Sequence, residues 1–155
     1  MKLAQVVAQL LDLKGKQILF LLLSGLVLRP VHAEYSAWQY HKTISINTSA
    51  DGADISSNVS SFPLLVRLNS GNFDFSQAKS DGADIRFETS DSNAISYEIE
   101  QWNSTALQAV VWVLAPQIQG SNATQYIKMY WGNSAALSES DPAAVFQAGN
   151  NFKGV

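Results

Sequence analysis

The 155-residue chain contains no cysteine and only two histidines. The first absence excludes disulfide frameworks, thiolate zinc sites, cysteine-ligated iron–sulfur clusters and cysteine nucleophiles together. Charge is also sparse, at 15% of residues with a formal net value of −3, so the Lys/Arg excess of a nucleic-acid binder is missing. No Gly-x-Ser-x-Gly elbow occurs, and no acidic run has the spacing of an EF-hand loop. The length suits one domain and leaves no room for a multidomain enzyme. What the chain does hold is apolar material: 46% hydrophobic residues, with 7 Phe, 4 Trp and 5 Tyr, enough to build a core and to exclude intrinsic disorder.

That apolar material is unevenly spread, with 20 of the first 33 positions hydrophobic and ten of them leucine. Lys14 and Lys16 precede the run Ile18 to Leu28, which only Ser24 and Gly25 interrupt, and Pro30 then breaks any helix before Val31-His32-Ala33. Charged, apolar and small residues in that order predict a secretory signal helix at 1–33, cleaved after Ala33. A helix over that run would span only ~16 Å, which is short for a hydrocarbon core of ~30 Å. The alternatives for the segment are an uncleaved anchor or a buried core helix. Export leaves a mature part with six basic and twelve acidic residues, all four tryptophans and one histidine, His41. One histidine without cysteine argues against a transition-metal site.

From Lys42 onward, short β-branched and aromatic runs alternate with Gly, Asn, Asp and Ser clusters, and no long helical pattern appears. Strands are predicted over Lys42 to Asn47, Phe62 to Leu68, Asp84 to Glu88, Ile95 to Trp102, Gln108 to Ala115 and Gln125 to Trp131. Phe62, Leu64, Val66 and Leu68 share one face by the two-residue period, as do Ile44 and Ile46. The continuous run Val110 to Leu114 predicts a central strand covered on both faces. The fold class is therefore all-β, a two-layer antiparallel β-sandwich over 34–147, with 148–155 beginning a linker. The turn-rich Thr89-Ser90-Asp91-Ser92-Asn93 predicts a hairpin that sets Arg86 opposite Glu98 as a structural ion pair, and Phe87 opposite Tyr97. The pentapeptide Asp-Gly-Ala-Asp-Ile occurs at 51–55 and again at 81–85, which reads as two tight turns entering strands rather than as a repeat.

Three constellations bear on chemistry. Asp74, Asp81, Asp84 and Asp91 cluster in sequence, and Asp81, Asp84 and Asp91 are weak calcium candidates, because hard cations take six to eight oxygens. Asp-Gly turns form without metal, however, and no metal or other cofactor is expected. Glu98 and Glu100 project from one strand face as paired carboxylates of the kind glycoside hydrolysis needs. Neighbouring Arg86 and Lys128 would keep both ionised, which suits a structural face better than an acid catalyst. His41, the lone base available to a serine nucleophile, reads as a solvated strand-edge residue. Aromatic rings are the third feature: Trp102, Trp38, Tyr40, Tyr130 and Trp131 are the ligand-binding candidates, although aromatics more often fill cores. Trp102, at a strand end beside a polar loop, is the foremost of them.

The blocks Trp38-Gln39-Tyr40-His41-Lys42, Phe73-Asp74-Phe75, Ser80 to Phe87, Tyr97 to Trp102, Val111-Trp112-Val113 and Met129 to Asn133 form an ordered series. Over about Trp38 to Phe146 it resembles domain of unknown function 2341. Departures are small: Leu114-Ala115 stands where a Lys-Val pair is usual, and Trp131 where a second Tyr is usual. The resemblance implies an exported β domain at the N-terminus of a larger protein, followed by a concanavalin-like LamG sandwich or, in one bacterial group, by a MotA/TolQ/ExbB proton-channel domain. It implies no catalytic residues, and it makes the chain a fragment that stops where relatives continue.

The functional expectation is a non-catalytic extracytoplasmic binding or scaffolding module, in the periplasm or outside the cell, with a glycan or a cell-envelope protein as partner. No nucleic acid and no membrane span in the mature chain are expected. Two alternatives stand beside it: a periplasmic accessory or sensor domain of a proton-channel transport protein, and a carbohydrate-active hydrolase.

Overall fold

The computed structural model describes residues 35–146, together with the backbone of a two-residue antiparallel pairing of Leu10–Leu11 with Gln17–Ile18. The expected signal helix at 1–33, apart from that pairing, and the expected linker at 148–155 lie outside the described residues. Six strands organise residues 35–146: β1 (Tyr40–Ile46), β2 (Val59–Asn69), β3 (Arg86–Thr89), β4 (Tyr97–Asn103), β5 (Gln108–Ile118) and β6 (Gln125–Trp131). Each coincides with a run predicted from alternation, β6 at both ends and the others with ends shifted by a few residues. They form two three-stranded antiparallel sheets, ordered β1-β6-β3 and β2-β5-β4, so the chain is an all-β sandwich.

The two-residue period explains the layering. Ile127, Met129 and Trp131 of β6 and Ala109, Val111, Val113 and Ala115 of β5 point inward and are buried. Phe87 and Ile85 are wholly buried between the layers, where a side chain of that size stabilises the fold by about 1.5–3 kcal/mol. As the unbroken apolar run requires, β5 is central in its sheet. Its second face is only half covered: Val110, Trp112 and Leu114 stay partly exposed. The short helix α1 (Pro142–Val145) lies against β4 and β5, and the Phe146 ring meets Trp112 edge-on at 5.6 Å. Asp141 starts that helix by accepting hydrogen bonds from the Ala143 and Ala144 amides, and Pro142 suits its first position.

The expected hairpin is corrected. Thr89 N donates to Asn93 O at 2.9 Å and Ile95 N to Phe87 O at 3.0 Å, so the turn closes, but pairing ends there. Beyond it β3 pairs with β6 and β4 pairs with β5, the chain crossing from one layer to the other. Arg86 consequently faces Tyr130 in register, and Glu98 faces Trp112. No Arg86–Glu98 ion pair forms; the guanidinium binds Glu139 at 3.0 Å instead. The reason is burial. Phe87 and Tyr97 touch at a ring separation of 5.5 Å from opposite layers, and both are nearly inaccessible, which an extended two-stranded ribbon would not allow.

Candidate functional site

The outer face of the β1-β6-β3 sheet gathers the polar and aromatic residues that the inner face rejects. Cross-strand register aligns His41 with Tyr130 and Arg86, Thr43 with Lys128 and Glu88, and Ser45 with Tyr126. Facing side chains on such a surface lie about 4.5–5.5 Å apart at Cβ and act as pairs. At its centre Glu88 is buried to 2% exposure, and its Oε1 accepts from the Tyr130 hydroxyl at 2.5 Å and from Lys128 Nζ at 3.1 Å. A carboxylate so deeply placed is tolerable only because it is paired and hydrogen-bonded. The Glu88 hydrogen bond holds the Lys128 pKa above its ordinary value, and burial, then the same carboxylate, raises that of the Tyr130 hydroxyl. Both groups therefore keep their protons and stay donors.

Arg86 anchors the adjoining corner. Its Nη1 donates to Ala83 O at 3.1 Å, Ile85 O at 2.6 Å and the Tyr97 hydroxyl at 3.0 Å, and its Nη2 donates to Leu137 O at 2.7 Å beside Glu139. The Trp38 ring covers the guanidinium at 5.3 Å and is held by its Nε1 donating to Asp84 O at 2.5 Å. Tyr35 completes the corner, meeting the Trp38 and Tyr130 rings at 5.0 Å each. Burial, then the negative charge of Glu139, pushes its hydroxyl pKa up to about 12. His41 leans on the other side of Tyr130 at 5.7 Å and is exposed, in keeping with its place on an outer strand.

Of the five ligand-binding candidates, the structure brings Trp38 and Tyr130 together on this face through Tyr35. Sequence reasoning missed Tyr35, because one aromatic among polar residues carries no periodic signal. Tyr40 and Trp131 stack at 5.9 Å at the end of the same sheet, with Trp131 buried, Tyr40 36% exposed, and the Tyr40 ring lying against Gly132. Trp102 is elsewhere. It turns into the sandwich against Phe73 and Phe75 at 5.8 and 5.3 Å, its Nε1 buried without a hydrogen-bond partner, so it packs the core rather than presenting a platform.

The acidic candidates are not brought together as a cation site. Asp84 is 1% exposed, and its two oxygens accept from the backbone amides of Lys79 at 2.9 Å, Gly132 at 2.8 Å and Asn133 at 3.2 Å. It is a loop clamp. Asp81 accepts from the Ala83 amide at the tight turn, and Asp91 is exposed in the turn after β3. Among the described residues, no three His, Cys, Asp or Glu side chains converge to hold a metal ion. Glu100 sits at the bulge in β4, where its Oε2 accepts from Trp112 Nε1 at 2.6 Å, and Glu98 lies beside it on the outer face of the other sheet. Burial, then the Glu100 charge, raises the Glu98 pKa.

The fold and this face define a small β-sandwich module with a fixed polar-aromatic outer surface. Residues 81–155 match the model of a family described as Domain of unknown function (DUF2341). The resemblance carried by the Ser80 to Phe87 and Tyr97 to Trp102 blocks is thus borne out over the part of the chain that begins at Asp81. No curated protein and no solved structure matches the chain. Among the described residues, no helix is long and apolar enough to cross a membrane.

Proposed function

We propose that the domain is a non-catalytic extracytoplasmic binding module and that the outer face of β1-β6-β3 is its ligand face, taking a glycan or a cell-envelope protein. One observation carries the reading: exposed His41 and half-buried Tyr130, Tyr35 and Trp38 adjoin donors locked in place by Glu88 and Asp84. Flat rings beside preoriented polar groups are what stacking and hydrogen bonding to sugar rings or a polar protein surface require. The non-catalytic part is supported by the engagement of Glu100 with Trp112, which ties one carboxylate of the Glu98–Glu100 pair to a ring on a sheet face. The proposed setting is the N-terminal part of an exported protein that continues into a LamG sandwich or a MotA/TolQ/ExbB-type channel domain, as the family resemblance suggests. The reading frame after Val155 distinguishes those two settings.

The test is a glycan array run beside an envelope pull-down with the purified chain, comparing wild type with His41→Ala and Tyr130→Phe. A ligand whose capture falls in both variants supports the assignment. Capture unchanged in both overturns it.

A further inference from the structure

On the side where β1 and β2 are the outer strands, the two layers enclose an open groove of about 600 Å³. Ile44, Ile46, Leu64 and Val66 line its walls, and Phe62 and Ile55 stand at its mouth, 40% and 36% exposed. Asn72 borders it near the start of β1, where Lys42 Nζ donates to Asn72 O at 2.8 Å. The 47–55 loop borders the far end, where Ile55 N donates to Thr48 O at 3.0 Å. Among the described residues, β1 has a strand partner only in β6, and β2 only in β5. A strand with one open edge is a template for another strand.

The two edges are not equivalent. In β2, Ser61 has a left-handed φ of 51° and Pro63 lacks an amide N–H, so a regular ladder along that strand is interrupted. In β1, seven residues run without proline, glycine or positive φ. Charge singles out the groove further. Among the described residues its only ionisable lining residues are Lys42 and Arg67, both cationic, on a chain whose net charge is −3. Lys42 retains two further donors beyond its bond to Asn72, because an ammonium has three.

We propose that this groove is a β-augmentation site for an extended segment of a partner protein whose groove-facing residues are apolar, with an acidic one at the end beside Lys42. The segment pairs with β1 over about 23 Å, the length of seven extended residues. Its apolar side chains enter between Ile44 and Leu64, and a carboxylate at its end, on the same inward face, meets Lys42 at the Asn72 end of the groove, where Arg67 also lines it. A second copy of this chain is disfavoured as occupant, since joining β1 to β1 would crowd the Lys42 and Arg67 cations of both copies, with no acid among the described groove residues to balance them. The inference is independent of the ligand face proposed above, because it uses the open edge and interior of the sandwich and not its outer surface.

The test titrates the full chain with a labelled synthetic peptide of about nine residues, valine alternating with serine except that glutamate replaces the valine at one end, and with a counterpart carrying lysine in its place. Fluorescence anisotropy reads affinity, and backbone amide shifts read location. The glutamate peptide is expected to bind, to perturb the β1 amides, and to outbind the lysine peptide by about ten-fold, or ~1.4 kcal/mol. The double variant Lys42→Glu with Arg67→Glu should reverse that order while its thermal unfolding stays cooperative. Phe62→Glu, at the exposed mouth, should weaken the glutamate peptide without loss of fold. Any of four results overturns the proposal: equal affinity for both peptides, no binding at millimolar peptide, indifference to charge reversal, or a dimer that Lys42→Glu dissociates.

Discussion

The Tyr130 hydroxyl donates to Glu88 Oε1 at 2.5 Å, across the ladder between β6 and β3 and beneath the outer surface of their sheet. The same oxygen receives Lys128 Nζ at 3.1 Å. One buried carboxylate therefore orients both of the central donors on the proposed ligand face.

Removing the donor and removing the acceptor should differ in consequence. Tyr130→Phe leaves Glu88 with Lys128 and is expected to lower stability by about 1–2 kcal/mol. Glu88→Ala strands Lys128 and Tyr130 together and should lose roughly 3 kcal/mol. Urea unfolding of both variants at neutral pH checks the order; a larger loss for Tyr130→Phe would contradict it.

Arg86 and Glu139 form an unequal pair, with side-chain exposures of 4% and 65%. Glu139→Gln should therefore cost no more than about 1 kcal/mol, since the exposed partner is readily replaced by water. Arg86→Ala abandons three carbonyls and the Tyr97 hydroxyl in the interior, and should lose roughly 3–5 kcal/mol. Arg86→Lys is not expected to restore it, because an ammonium cannot reproduce the planar fork. Melting temperatures of the three variants test this.

Gly82 combines a φ of +70° with a site where an added Cβ would come within 2.6 Å of the Trp102 ring. Gly82→Ala is expected to destabilise by roughly 2–3 kcal/mol, from left-handed strain and overpacking together. Gly71→Ala meets only the Asn69 side chain, at 3.1 Å, and should change stability by less than about 1 kcal/mol. If the two variants unfold alike, the close packing of Trp102 over Gly82 is wrong.

Alkaline pH should weaken the Tyr35 corner in a defined window. Tyr35 has a folded-state pKa of about 12 against an ordinary 10.0, raised first by burial and then by Glu139. The unfolded chain therefore ionises first, so this group's contribution is intact below pH 10 and is lost as pH rises toward 12. Tyrosinate absorbance during titration should show a late step that Tyr35→Phe reduces by one tyrosine, the Tyr97 and Tyr130 hydroxyls also being raised.

At the other sheet the sign applies to a carboxylate. The Glu98 pKa is raised by burial and then by Glu100, so ionisation of Glu98 opposes folding at neutral pH. Glu98→Gln should raise the melting temperature at neutral pH and leave it unchanged well below the carboxylate range. An equal effect at both pH values would show that charge is not the cause.

The six strands were legible because their signal is local: Phe62, Leu64, Val66 and Leu68 alternate in the sequence and line one wall in the fold. Their pairing was not legible in the same way. Turn residues at 89–93 speak for a hairpin, yet the neighbours of β3 and β4 are decided by Phe87 and Tyr97 packing from opposite layers. The repeated pentapeptide makes the same point. Ile55 is 36% exposed at the groove mouth and Ile85 is wholly buried, while Asp84 alone receives backbone amides, from nearby Lys79 and from the distant Gly132–Asn133 loop. Identical residues met different partners more than forty positions away, which no local pattern encodes. Trp102 was misplaced for that reason too: its neighbours Phe73 and Phe75 reach it only through tertiary folding.

The sheet order also sets a sequence of assembly. In a chain that folds as it emerges from its N-terminus, β2, β4 and β5 can close their layer once residue 118 is free. Of these six strands β1 waits longest, because among the described residues its only ladder partner is β6, ending at Trp131. Until then Tyr40–Ile46 carries two unpaired edges instead of one, beside a half-built core, and it is during this interval that premature association or chaperone capture would act.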